Sequence, residues 1–429
     1  MSKFLGVNTS NIDNVNGFFV TQGSGGAYDP VAGTGTFTET VPSSGLLRVG
    51  GLRTDSKPGY KYEPNPVVLF SSDADGLYLT AQFDTDSSWT KIAMFGSGVT
   101  QDNATYAINE DGELWGKGRS SSYVASTSSW SQITQSGIVD NGWTDIAASG
   151  AVVLGINSGK LYLLGSRLYG GDGASNYHYG SFRQVGSDTD WVSVATGVNH
   201  SIAIKGSDRK VYSCGTNGSG RTGLNTTSGS TNTWTLMDAT NLDNATNEDI
   251  DFIACGYETT LVIQNGKAFF CGQNRYNNNA GLTTGSKSVL TQIGKDSGTF
   301  KTDWSGGYVG NYSSHLIDTS GRLWWTGAGN YGASGSGQSN NASGNFYQVG
   351  SDTDWTFVHS TTTAFSSHVQ FVAIKGGYGY FWGRNSYSNI IDSSTSTLTT
   401  PTLIKSGSCS ALTPMYGSGP SFALGSFAS

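Results

Sequence analysis

Short apolar stretches closed by glycine alternate with polar turns along most of the chain. IAASG ends at Gly150, VSVATG at Gly197 and FIACG at Gly256. A second apolar stretch follows in each case and ends in isoleucine, at Ile108, Ile156, Ile204, Ile263, Ile317 and Ile374. A tight turn comes next, then a third stretch that closes on glycine. Runs this short, rich in β-branched and aromatic residues and bounded by turn formers, predict β-strands. The turn glycine stands six residues before the closing glycine in Gly112/Gly118, Gly159/Gly165, Gly266/Gly272, Gly321/Gly327 and Gly377/Gly383, and Arg209 takes its place before Gly215. Asp, Asn or Ser precedes most of these turn glycines, a strong hairpin signal. Three residues after the turn lies a ring: Trp115, Tyr162, Tyr212, Phe269, Trp324 or Tyr380. A large ring at one strand position in every repeat suits the space between stacked sheets.

This order of events repeats about every fifty residues. The string QVGSDTDW ends at Trp191 and again at Trp355, with weaker relatives ending at Trp89 and Trp304. Units begin near Trp89, Trp143, Trp191, Asp251, Trp304, Trp355 and Cys409. The C-terminal MYGSGPSFALGS reads as the first two strands of the last unit. Residues 44–51, with Gly45 and Gly51 again six apart, read as its missing turn and third strand. The expected fold is all-β: a seven-bladed β-propeller over residues 41–429, one blade closed by both termini, plus an N-terminal extended arm at residues 1–40. Closure removes open sheet edges, whereas an open solenoid would need capping units.

Composition agrees with many short strands and tight turns. Glycine supplies 61 of 429 residues, aromatics reach 12% and charged residues only 13%, about half the usual ~25%. Aromatic content this high allows a buried core. The formal net charge is −7 and basic residues form no run, so no nucleic-acid footprint is expected. The N-terminus lacks the apolar run of a signal peptide, and no stretch approaches a membrane span. The expectation is a protein made in a cytoplasm, with no membrane insertion.

The repeat resembles that of the regulator of chromosome condensation family. Gly197-Val198-Asn199-His200-Ser201-Ile202-Ala203-Ile204 matches the middle of that unit. Cys214-Gly215-Thr216-Asn217, Cys271-Gly272-Gln273-Asn274 and Trp382-Gly383-Arg384-Asn385 match its end. The resemblance covers roughly residues 41–425 and implies a seven-bladed propeller. It does not carry over nucleotide exchange or chromatin binding, whose loops and basic tail have no counterpart here. The Gly-, Ser- and Asn-rich style also looks like that of structural proteins of tailed bacteriophages.

Candidate chemistry is sparse. His178, His200, His315, His359 and His368 show no metal-ligand spacing, and His200 falls in the family's His-Ser slot, a structural position. Asp84/Asp86, Asp188/Asp190 and Asp352/Asp354 precede a repeat Trp, where Asp serves turns by accepting backbone N–H bonds. Cys214 and Cys271 share a strand position with Leu164 and Trp382 and read as small buried hydrophobes. No nucleophile elbow or phosphate loop occurs. No catalytic residue, metal or cofactor is therefore expected. Binding residues are expected in loops rich in Tyr, Asn, Ser and Gly, read as lying between units: Tyr169, Tyr177, His178 and Tyr179, with Tyr276 and Tyr387. The expected function is a non-catalytic structural or interaction protein of a virion, attached to other virion proteins through residues 1–40. The alternative is recognition of a host-surface glycan or protein through the Tyr-rich loops.

Overall fold

The structure is a computed structural model. It describes residues 3–4, 7–8, 20–22, 37–39, 67–73, 76–82, 89–96, 103–120, 124–149, 152–174, 178–274, 282, 285–310, 312–360, 370–384, 397–403, 408–409 and 424–428. The chain divides into two compact units, Met1–Asn65 and Pro66–Ser429. The first contains two short hairpins, Lys3–Phe4 with Val7–Asn8 and Val20–Gln22 with Phe37–Glu39. The second is an all-β propeller.

Six blades are built from continuous chain, each a four-stranded antiparallel meander. The third is typical: Trp191–Thr196, His200–Lys205, Lys210–Thr216 and Ser230–Leu236. The other five open at Trp89, Trp143, Ile250, Trp304 and Trp355. Sequence reasoning found three strands per unit and missed the fourth. That outer strand is mostly polar, as in STNTWTL, whose positions are exposed or half-buried, and in other blades only isolated residues such as Phe182 or Leu290 are buried, so no apolar run marks it.

The seventh unit differs from expectation. A further four-stranded sheet takes Ser408–Cys409 and Leu424–Ala428 from the C-terminal stretch and Val67–Asp73 and Gly76–Gln82 from near residue 70. Six blades of continuous chain thus stand beside one composite sheet, where seven blades were expected. The tail pairs Leu424 with Leu69 and Ser426 with Val67; residues 44–51, expected to supply the turn and third strand, lie outside the described residues. The physical reason is strand content. VVLFSSD and GLYLTAQ are two seven-residue β-forming segments around Asp75-Gly76, able to pair as a hairpin and extend the sheet that the tail begins.

The repeat columns now have places. Ile108, Ile156, Ile204, Ile263, Ile317 and Ile374 are all buried. The repeat Trp meets the third-strand ring within its own blade: Trp191 and Tyr212 lie 6.0 Å apart, Trp304 and Trp324 6.1 Å, Trp355 and Tyr380 5.3 Å. A register shift follows the first residue of every innermost strand, as between Trp143 and Asp145. Such a bulge re-aims side chains. The first and fourth residues, such as Trp355 and Val358, then share the core. The third and fifth line the channel. The closing glycine is a steric necessity at Gly272: its φ is +103° and a Cβ there would stand 2.1 Å from the Glu258 carbonyl oxygen.

The two complete Asp-x-Asp triplets also resolve. Asp188 pairs with Lys205 at 2.7 Å and Asp352 with Lys375 at 2.8 Å. Each lysine lies over the Trp and Tyr of its blade. The bonds from these first aspartates therefore go to a lysine, not to backbone N–H groups as expected. The second member acts through its backbone: the carbonyls of Asp190 and Asp354 accept from the N–H of Gly206 and Gly376. Asp84 and Asp86 lie outside the described residues.

Candidate functional site

An antiparallel meander sends its first-to-second and third-to-fourth connections to one end of the blade and its central hairpin to the other. The propeller therefore has a loop face and a hairpin face. The Tyr-rich segments expected between units instead join third to fourth strands within a blade. The segment bearing Tyr169 runs from the strand Lys160–Ser166 to the strand His178–Gln184.

These loops reach the next blade. Gly220 of the third blade packs on the Lys287 carbonyl of the fourth, and Gly332 of the fifth on the Leu398 carbonyl of the sixth. Tyr169 is half-buried, and its carbonyl accepts Ser201 Oγ–H at 2.7 Å and Cys214 Sγ–H at 3.2 Å. It is an interblade latch as much as a surface ring. His178 is exposed and Tyr179 half-buried. Arg167 lies 5.0 Å above the Tyr179 ring and donates to Asp172 at 2.6 Å. Burial, with Asp172 beside it, pushes the Tyr179 phenol up. Tyr177, Tyr276 and Tyr387 lie outside the described residues.

Sequence reasoning missed Tyr331. It stands four residues after closing glycine Gly327, the spacing that Tyr169, Tyr276 and Tyr387 keep after Gly165, Gly272 and Gly383. That register was the available signal. Tyr331 is 44% exposed, has a φ of +54°, and carries the Arg384 guanidinium of the next blade 5.4 Å from its ring centre. Ser219, at the same place after Gly215, also has positive φ, +63°. Tyr169, at the same place after Gly165, lies instead in the helical turn Arg167–Gly170. Of the three described residues at this position, two share the left-handed backbone and Tyr331 is the one that adds an exposed ring.

A second feature is the central channel, a cavity of about 400 Å³ lined by the innermost strands. Third residues Lys91, Asp145, Ser193, Phe252 and Phe357 line it, as do fifth residues Ala93, Ala147, Ala195, Ala254 and His359. Asp145 is buried and fully engaged. It accepts from Ser193 Oγ at 2.8 Å, Val194 N at 3.0 Å and Ile146 N at 3.1 Å, and pairs with Lys91 at 3.4 Å.

Other titratable groups are structural. His200 is fully buried, with Nε2 2.9 Å from Thr260 Oγ1, and burial with the nearby Arg221 charge lowers its pKa to about 3. Cys214, Cys255 and Cys271 are buried free thiols, and burial pushes Cys271 up to about 12, so none is poised as a nucleophile. Among the described residues no group of three or more His, Cys, Asp or Glu could hold a metal ion. Among them also, no helix is long and apolar enough to cross a membrane.

No protein-family model matches the chain, and no curated protein matches it. Solved structures do. Human WBSCR16 aligns with a TM-score of 0.64 at 17% identity, over 82% of this chain and 89% of its own. Prp20p from Saccharomyces cerevisiae aligns at 0.64 and 13% identity, over 85% and 92%. Yeast RCC1 (Prp20) bound to Kap60 aligns at 0.61 and 14% identity, over 91% and 97%. Similarity at this level of identity establishes architecture: the fold of this chain is that of an RCC1-type β-propeller.

Proposed function

We propose that this chain is a non-catalytic interaction protein of a bacteriophage virion, whose propeller is a rigid disc presenting its loop face. Residues 1–40 attach it to other virion proteins, and the composite sheet is its seventh blade. The observation that carries the interaction reading is the Tyr331–Arg384 pair. An exposed ring held by a fixed backbone and covered by a guanidinium combines two of the residue types enriched at binding hot spots. Yeast Prp20p is described with binding properties toward Gsp1p and histones, and as a partner of Kap60, so a propeller of this architecture serves protein contacts elsewhere. The virion assignment rests on composition and on a first unit, Met1–Asn65, compact in itself and outside the repeat.

Deletion of residues 1–40 tests the attachment. Mass spectrometry of purified particles should find the shortened protein lost from them; normal occupancy would defeat the reading. For the contact surface, Tyr331→Ala in the full chain should weaken capture of whichever particle or host component the wild type retains, without lowering the melting temperature. A glycan array with the same two proteins separates a sugar ligand from a protein one.

A further inference from the structure

The innermost strands do not wall the channel evenly. Four successive blades place alanine at the fifth strand position: Ala93, Ala147, Ala195 and Ala254. The fifth and sixth blades place Tyr308 and His359 there. Interiors are normally packed without voids beyond a water or two, and an unfilled cavity lowers stability. The gap left by four small side chains instead opens a cavity of about 400 Å³, within the ~300–1,000 Å³ of small-molecule sites.

Its polar lining includes Ser193, Thr196, Arg209, Asp251 and Ser360, with Arg209 engaged on the Ile250 and Asp251 carbonyls. Lys91 and Asp145 stand at one level, the third strand position, and His359 at another, the fifth. At the third position the Asp145 carboxylate is saturated by its three hydrogen bonds and Lys91. The Lys91 side chain is half exposed and keeps N–H bonds for a further acceptor. At the fifth position the His359 Nδ1–H donates to the Ser360 carbonyl at 2.9 Å. A carbonyl only accepts, so Nε2 carries a lone pair. Burial lowers this imidazole's pKa to about 4, which keeps that lone pair bare at neutral pH. Aromatic surface surrounds it: Tyr308 lies 4.6 Å from the His359 ring centre, and Phe357 lies 6.2 Å away with only 20° between planes.

We propose that the central channel binds a small planar heteroaromatic carboxylate. Its ring lies against Phe252 and Phe357, a ring N–H donates to His359 Nε2, and its carboxylate meets Lys91 Nζ. The two levels differ by two residues along the strand, about 6–7 Å of axial height. Lys91 and His359 approach the channel from different blades, the first and the sixth, so the long Lys91 side chain supplies the lateral reach to an acidic arm. This site is independent of the loop face and of the virion assignment.

Calorimetric titration of the full chain with indole-3-acetate tests the proposal, with the uncharged indole-3-ethanol as comparison. The acid is expected to bind with a Kd of order 0.1 mM or tighter, and the alcohol roughly tenfold more weakly. Ala195→Phe fills the cavity and should abolish binding of both. Should that variant fail to fold, Lys91→Met carries the test: its half-exposed side chain is dispensable for packing, and its loss should erase the preference for the acid. The proposal is overturned by an absence of binding at about 5 mM probe, weaker than any affinity a built site supplies. It is equally overturned by unchanged binding to a folded Ala195→Phe protein, or by an undiminished preference for the acid in Lys91→Met.

Discussion

His200 of the third blade donates its Nε2–H to Thr260 of the fourth at 2.9 Å. The assignment follows from the hydroxyl's single proton, which Thr260 gives to the Arg221 carbonyl at 2.7 Å. His315 repeats the state by another route, its Nε2 standing 3.2 Å from the Ser334 carbonyl, an acceptor only. Both imidazoles are therefore neutral donors locked between structural elements. With His359 they make three uncharged histidines facing the interior.

The pH dependence of stability follows. Unfolded histidine takes a proton near pH 6.5. The folded chain refuses it until about pH 3 at His200 and His315 and about pH 4 at His359, chiefly because burial penalises the cation. Below pH 6.5 the unfolded state therefore binds more protons. Stability is full above that point and falls as pH drops toward 4, by up to about 1.4 kcal/mol per pH unit for each histidine. Thermal melts between pH 8 and 4 should show a plateau and then this decline, with the slope reduced by about a third in His315→Leu. A melting temperature unchanged down to pH 4.5 would contradict the buried neutral assignment.

Lys375 and Asp352 give a second prediction. The Lys375 Nζ lies 4.6 Å from the Tyr380 ring centre, 5.3 Å from that of Trp355 and 2.8 Å from Asp352. Asp352 is about half exposed, so solvent screens the pair and the cation–ring contact dominates. Lys375→Ala should cost about 1–1.5 kcal/mol through lost ring contact and packing, and Asp352→Asn less than about 0.5 kcal/mol. Urea denaturation of both variants decides the order; the reverse order would make the carboxylate the organiser of this turn.

The chain ends supply a third. Deleting residues 424–429 removes the strand that pairs with Val67–Asp73 and leaves an open edge. Calorimetry should show the melting temperature lowered by more than about 5 °C, and gel filtration should show association through the freed edge. Deleting residues 1–40 should leave the propeller's melting unchanged, because they lie in the other compact unit. Equal effects from the two deletions would mean that the composite sheet does not close the propeller.

The repeat was legible where its causes are local. A turn glycine, a ring three residues on and a closing glycine each answer to backbone freedom or strand geometry within one hairpin. The outer strand was not legible, because its few buried residues, such as Phe182 or Leu290, stand singly among polar ones and make no apolar run. Tyr331 was passed over for lack of a register comparison among the loops, although its distance from Gly327 is that of Tyr169 from Gly165. The Asp-x-Asp triplets were recognised as turns, but a lysine seventeen or twenty-three residues further on as partner could not be read from spacing.

The amino-acid order alone determined the strand period, the turn chemistry and the propeller class, since these depend on residues close together in the chain. Three-dimensional packing alone decided that residue 424 finds residue 69, and that four alanines from different blades face His359 across one channel. Those neighbours lie tens to hundreds of residues apart. What selects them is which surfaces fit and which edges remain unpaired once the blades assemble, and no local pattern records that.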